Sequence, residues 1–267
     1  MTWKIYLFKL LRKIRKENKM KFFETELKKN RRTANKKLIW ITPCIFTLFS
    51  FLASLLMVPS SKGNVFIAGA YNWFPLIILP SIISLLVANS INLERKNKNI
   101  EYLKSKNVNL SKLYFYKSVI VSLFLFSIII IAFFIISIVT MILTPSTVNL
   151  LPLFLANIML FICCLPLIPV SYIIIELTNT LVLLTVNFIG GLLASIISTT
   201  SFWIIYPWSY SFRAIAPLLK INPNGTFIEG ENNLSNINNV FLAFVLAIIF
   251  YLVGILVMNL ISKRVFK

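Results

Sequence analysis

Residues 118–143 read Ser118-Val-Ile-Val-Ser-Leu-Phe-Leu-Phe-Ser-Ile-Ile-Ile-Ile-Ala-Phe-Phe-Ile-Ile-Ser-Ile-Val-Thr-Met-Ile-Leu143, with no charged residue among them. As a helix this stretch is roughly 39 Å long, more than the ~30 Å hydrocarbon layer of a bilayer. It is apolar on every side, so it needs lipid or other apolar helices all around it. Five more stretches repeat the pattern: about Leu38 to Val58, Trp73 to Ile91, Leu150 to Leu177, Leu181 to Phe202 and Val240 to Ser262. Pro166 and Pro169 interrupt the fourth, and only Leu177 to Thr180 separates it from the fifth. The pattern predicts an all-α, polytopic membrane protein with six transmembrane helices.

The whole chain agrees with that stretch. It has 267 residues, of which 58% are hydrophobic, and a mean hydropathy of +0.85. There is no His and no Asp, and Glu supplies all 8 acids. A Ser-His-Asp triad, a His-ligated zinc and an Asp-held magnesium are therefore excluded. Cys44, Cys163 and Cys164 lie in apolar runs without C-x-x-C spacing, which reads as membrane packing rather than a disulfide or metal framework. No secretory signal fits the start, because residues 1–37 stay basic throughout.

The formal net charge of +19 is local. Residues 1–37 hold 14 Lys/Arg against 3 Glu, residues 92–117 hold 7 against 2, and the tail carries Lys263, Arg264 and Lys267. The connection after the first span has only Lys62, and 144–149 has no charge. The positive-inside bias then puts both termini and the 92–117 connection in the cytoplasm. This divides the chain into a basic N-terminal segment (1–37), a six-span domain (38–262) and a short cytoplasmic tail (263–267).

Three segments outside the spans carry information. Residues 1–19 form a basic amphipathic stretch, with Trp3, Tyr6, Leu7, Leu10, Leu11 and Ile14 near helical spacing. That stretch and Met20–Thr33 suit an N-terminal interfacial helix on the inner leaflet, its Lys/Arg near anionic membrane lipids. A generic polybasic anchor accounts for residues 1–19 equally. The 92–117 connection sets Ile100, Leu103, Leu110 and Leu113 into a charged surface, as a short cytoplasmic helix docking a partner would. Glu94 and Lys98 stand at i and i+4, which supports a helix without any partner.

The outer connection, Trp203 to Asn239, is too long for a turn. Its Trp203, Tyr206, Trp208, Tyr210 and Arg213 suit an outer re-entrant or interfacial helical element, ending near Lys220. The element reads either as a vestibule for an amphipathic substrate or as an aromatic belt. Asn222-Pro223-Asn224-Gly225 predicts a turn after it. Within the spans Glu176 is the sole acid, a functional candidate by position although near a membrane surface. Asn89, Asn157 and Asn187 point to hydrogen bonds between helices. Pro75, Pro80, Pro166 and Pro169 predict bends.

The chain has no G-x-x-x-x-G-K-[ST] loop and no Asp for a Walker-B position, so it does not hydrolyse ATP itself. Uphill transport then takes its energy from a separate subunit, for which 92–117 is the candidate dock. A nucleic-acid role for the positive charge finds no binding fold to support it.

Particular stretches resemble a known group. They are Met20–Thr33 before the first span, and Tyr71-Asn72-Trp73-Phe74-Pro75 with Leu79-Pro80 opening the second. Glu94-Arg95-Lys96 and Tyr116-Lys117 follow around the 92–117 connection. Tyr206-Pro207-Trp208-Ser209-Tyr210 with Arg213, and Asn222-Pro223-Asn224-Gly225, complete the set. The pattern resembles the ABC-transporter permeases of the type-2 exporter class and, more narrowly, the lantibiotic-immunity permeases. Residues 1–19 fall outside it.

The resemblance implies a bacterial cytoplasmic-membrane complex of two permease subunits, a sister chain or a second copy, with cytosolic ABC ATPase subunits. ATP and Mg bind those partners, and this chain carries no cofactor. The implied task is self-protection, by returning a lantibiotic from the membrane to the medium. Glu94, Arg95, Lys96, Lys98 and Glu101 are then expected at or next to the ATPase contact. Trp203, Tyr206, Trp208, Tyr210 and Arg213 are expected at the peptide-facing or outer-leaflet element. An ABC permease for another lipid, drug or toxin, or a non-transporting membrane scaffold or sensor, are the alternatives.

Overall fold

The computed structural model describes residues 23–30, 33–57, 63–96, 110–143, 149–230 and 232–265. Within them the chain is all-α, and six helices are long and apolar enough to cross a membrane. These spans are Asn35–Leu55, Val65–Arg95, Lys112–Leu143, Leu150–Leu177, Thr180–Ile197 and Asn238–Ile261. A short helix over residues 23–30 precedes the first. The expectations for residues 1–19, Lys98 and Glu101 and the middle of the 92–117 connection lie outside the described residues.

The second span begins two turns before the expected Trp73. Asn64 caps it, its side-chain oxygen accepting from Ile67 N–H at 3.1 Å. The motifs with Pro75 and Pro80 lie inside it rather than at its opening, and where those prolines predict a bend a π-helical segment, Phe74–Ile78, joins helix Val65–Trp73 to helix Leu79–Lys96. The third helix starts at Leu110 and the second span's helix runs to Lys96, so the flanking helices take half of 92–117. The fifth span stops at Ile197 rather than Phe202. Its last hydroxyls, on Ser198, Thr199 and Thr200, bond back to the carbonyls of Ser195, Ile196 and Ile197, competing with helix continuation. Spans four and five meet where expected, with Asn179 capping Thr180–Ile197. Span four is broken after Cys164 and resumes at Leu167.

Spans two, three and four form the centre, and the others lie around them. Span one packs on two and three, span five on two and four, and span six on three and four. Span two is the most enclosed, with 67% of its most apolar window buried, against 28% for spans one and five and 17% for span six. The outer faces of those three carry large exposed side chains such as Leu48, Leu52, Ile189, Leu193, Phe241 and Leu256. Such faces are costly in water and neutral in lipid.

The connection between spans five and six folds back into the bundle. Two 3₁₀ turns, Ser201–Ile205 and Pro207–Ser209, lead into a helix, Tyr210–Leu219, that packs on spans four and six. Trp208 bonds Asn187 and Tyr206 bonds Gly190, both well back along span five. Asn187 lies ten residues before the end of that span, roughly 15 Å along its axis. The element is thus re-entrant. The turn that follows forms as expected: Gly225 N–H donates to Asn222 C=O at 2.9 Å, with Gly225 at φ +83° against Asn72.

Candidate functional site

Polar atoms gather at two places along span two. The first is the basic end of the bundle, where the helix over 23–30 meets the ends of spans two and three. Lys117, one turn inside span three, has its ammonium 3.1 Å from Glu26 Oε2 and 3.3 Å from Glu94 Oε1, and donates to Ser90 C=O at 3.1 Å. Lys29 reaches Glu26 at 2.8 Å and Glu94 at 3.2 Å. Two carboxylates and two ammonium groups thus neutralise one another, and three of the four side chains are at most 2% exposed. Buried charges persist only when paired in this way.

Asparagines extend the grip. Asn35, the first residue of span one, donates to Leu86 C=O and to Asn30 Oδ1, and accepts from Asn89 at 2.9 Å. Beside this cluster Arg95 donates to Ile175 C=O at 2.7 Å and stands 3.7 Å from Glu176, which accepts from the Tyr114 hydroxyl at 2.6 Å. Arg95 therefore caps the last turn of span four, where a cation also suits the helix dipole.

Every helix flanking the 97–109 connection is held in this way. Glu94 and Arg95 end span two, Tyr114 and Lys117 begin span three, and the pairs join them to the 23–30 helix and to span four. The sequence-expected residues fare differently within it. Glu94 faces inward, 1% exposed, with Lys29 and Lys117 as its partners, so it is no surface contact for a docking protein. Arg95 is partly exposed and Glu176 is its partner, which joins two residues that the sequence kept apart. Lys96 ends its helix, with its side chain outside the described residues. Glu26, Lys29, Tyr114 and Lys117 were missed as site residues. The available signal was Lys117 itself, a cation within an apolar run in a chain with so few acids.

The second place lies within the membrane-spanning region. The Asn187 amide donates to Ser84 Oγ at 2.7 Å and Ser171 Oγ at 2.9 Å, and accepts from Trp208 Nε1 at 3.0 Å. One side chain of span five thereby joins spans two and four and the re-entrant element. Nearer the aromatic end, Asn157 of span four donates to the Tyr71 hydroxyl of span two. Span two thus forms polar links with spans one, three, four and five.

The re-entrant element is built by its aromatic residues rather than displaying them. Trp203, Tyr210 and Arg213 are buried, and Tyr206 and Trp208 are half-buried. Arg213 donates to Asn233 C=O at 3.0 Å and Thr200 C=O at 3.4 Å, with its guanidinium 5.1 Å from the Trp203 ring centre. Tyr210 donates to Ile204 C=O at 2.6 Å. The polar heads of these side chains need partners, and the backbone of the turns supplies them. Phe202, Ile204 and Ile205 are left facing outward.

The described residues thus form a six-span bundle with a re-entrant element before the last span and a short helix before the first. The chain belongs to the ABC-2 transporter family: the family described as "ABC-2 family transporter protein" matches residues 22–202 of the 267. The chain is thus the permease subunit of an ABC transporter. No curated protein and no solved structure matches it.

Proposed function

We propose that this permease expels an amphipathic antimicrobial peptide of the lantibiotic type from the bacterial cytoplasmic membrane, driven by a separate ATPase that docks at the 97–109 connection. The basic end is the cytoplasmic face, as the positive-inside bias requires. The observation that carries this reading is the pair of ion-linked groups flanking that connection, Glu26–Lys29–Glu94–Lys117 and Arg95–Glu176–Tyr114. A push on the connection meets spans two, three and four and the 23–30 helix as one body. Such a body passes movement into the bundle instead of absorbing it locally. Transport then requires two arrangements of the bundle that differ in affinity for the peptide.

Lys98 and Glu101 are the proposed ATPase contacts, with Arg95 beside them, whereas Glu94 holds the structure behind. The proposed peptide-facing surface of the re-entrant element is Phe202, Ile204 and Ile205, an apolar patch suited to an amphipathic peptide in the outer leaflet.

Purification from the native membrane in mild detergent tests the driver: a nucleotide-binding subunit should co-purify, and reversing the charges of Lys98 and Glu101 should loosen it. Its absence sinks the proposal. Reconstituted vesicles loaded with a fluorescent lantibiotic test the cargo. ATP-dependent release of the peptide supports the reading, whereas ATP turnover without release assigns the permease another cargo.

A further inference from the structure

Span two has two halves with different sets of polar partners, span four alone being common to both. Its N-terminal half, Val65–Trp73, holds Asn157 of span four through Tyr71, and the Asn222–Gly225 turn lies against Asn72. Its C-terminal half, Leu79–Lys96, holds span five through Ser84 and Asn92, span one through Asn89, and the ion-linked groups through Glu94 and Arg95. Between them the π segment Phe74–Ile78 breaks the helical register, with Leu79 N–H donating back to Phe74 C=O.

Pro80 has no N–H for the Leu76 carbonyl that an α-helix would pair with it, and Pro75 likewise removes a donor on the preceding turn. Prolines and π bulges are where helices bend.

Span five is cut to fit this joint. The backbone of Gly191 lies so close to the Leu76 carbonyl oxygen that a Cβ would overlap it, and that Cβ would also stand 3.1 Å from Pro80 Cγ. On the next residue, a Cβ at Gly190 would meet the Trp208 ring at 2.8 Å. The joint, the glycine pair and the re-entrant indole are therefore stacked in direct contact. Asn187, one turn away, ties the mobile side of the joint (Ser84) to that same indole.

We propose that the π segment of span two is a hinge, and that the Ser84–Asn187–Trp208 hydrogen-bond chain is a latch passing movement of residues 79–96 to the re-entrant element. The role assigned to this movement rests on the ATPase-driven reading above. The hinge itself is a property of this chain. Asn187 is a positioning residue, acting on the re-entrant element through Trp208. The Leu76 carbonyl, to which Pro80 offers no N–H, and the absent Gly191 side chain leave the joint free to pivot, while the Asn187 amide keeps the two moving parts in register.

Coupling between distant sites is established by perturbing one and reading the other, then removing the link. The full chain, in lipid nanodiscs and labelled with 5-fluorotryptophan, gives a ¹⁹F resonance for Trp208, assigned by Trp208→Phe. Glu94→Gln and, separately, the milder Lys29→Gln disturb the basic end. The expected result is a shifted or split Trp208 resonance in each folded variant, lost when Asn187→Leu is added. A Trp208 resonance indifferent to both changes overturns the hinge, and a response that survives Asn187→Leu overturns the latch. If Glu94→Gln does not fold, Lys29→Gln carries the test. A Trp208 that follows these substitutions but ignores nucleotide on the co-purified ATPase upholds the hinge and counts against the proposed driver alone.

Discussion

Lys117 Nζ and Glu94 Oε1 stand 3.3 Å apart across the two helices that flank the 97–109 connection, and each side chain is 1% exposed. The pair closes a loop of the chain inside the protein rather than at its surface. With Glu26 on the other side of the same ammonium, the N-terminal helix is joined to the base of that loop.

Lys117→Met removes the cation and leaves two buried carboxylates, Glu26 and Glu94, with Lys29 alone to answer them. Loss of one partner of a buried pair costs about 3–5 kcal/mol. Thermal unfolding in detergent should show a large fall in midpoint. Arg95→Ala should cost less, about 1–3 kcal/mol, because its pair with Glu176 is long and partly exposed and the main loss is the bond to Ile175 C=O. Equal losses for the two would refute the buried character of the Lys117 site.

The two adjacent glycines of span five should respond differently to the same methyl group. At Gly191 the obstacle is the Leu76 backbone, which has no rotamer to escape into, so Gly191→Ala should destabilise by about 1–3 kcal/mol or more. At Gly190 the obstacle is the Trp208 ring, a side chain that can be trimmed. Gly190→Ala should therefore be relieved in part by Trp208→Phe, and Gly191→Ala should not. The double-mutant comparison measures this directly.

Arg213 is expected to brace the re-entrant element. Arg213→Lys keeps the charge but loses the planar group that reaches both Thr200 C=O and Asn233 C=O and lies near Trp203. Limited proteolysis should cut faster within residues 232–236, with a stability loss of about 1–3 kcal/mol. A variant with unchanged protection would show that the guanidinium faces away from these carbonyls.

The 23–30 helix should stay docked over the ordinary pH range and loosen in strong alkali. Burial pulls the Lys29 pKa down, but hydrogen bonding and charge from Glu26, then Glu94, more than offset it and hold the group above its usual 10.5. A base with a raised folded-state pKa contributes stability fully below its unfolded value, and that contribution is lost as pH rises through the folded one. A nitroxide at Glu24→Cys, on a cysteine-free background, should thus show constant mobility from about pH 6 to about pH 9 and rising mobility only above 10.5. Release already near neutral pH would contradict the Lys29 pairing.

Some of the architecture was legible because its cause is local. Asn222-Pro223-Asn224-Gly225 predicts a turn from its own composition, and it forms one, with Gly225 at φ +83°. The start of span two was misplaced for an equally physical reason. The motifs around Pro75 and Pro80 read as the opening of the span, whereas Asn64 caps a helix that carries those prolines through with a π segment, the bend they predict. Glu94 looked like a surface residue because its near neighbours in sequence, Arg95 and Lys96, are charged. Its partners Lys29 and Lys117 lie 65 and 23 residues away.

By itself the sequence determined the six spans and the charge map, since an apolar run long enough for a 30 Å layer needs no partner to be recognised. The aromatic cluster before the last span was equally plain. Tertiary structure alone decided which polar atoms meet. Asn187 finds Ser84 across 103 residues, and Tyr210 and Arg213 turn inward because backbone carbonyls of the same connection accept their hydrogen bonds. A polar group in an apolar surrounding must be paired, but chain order does not say with what; only the packing of the helices does.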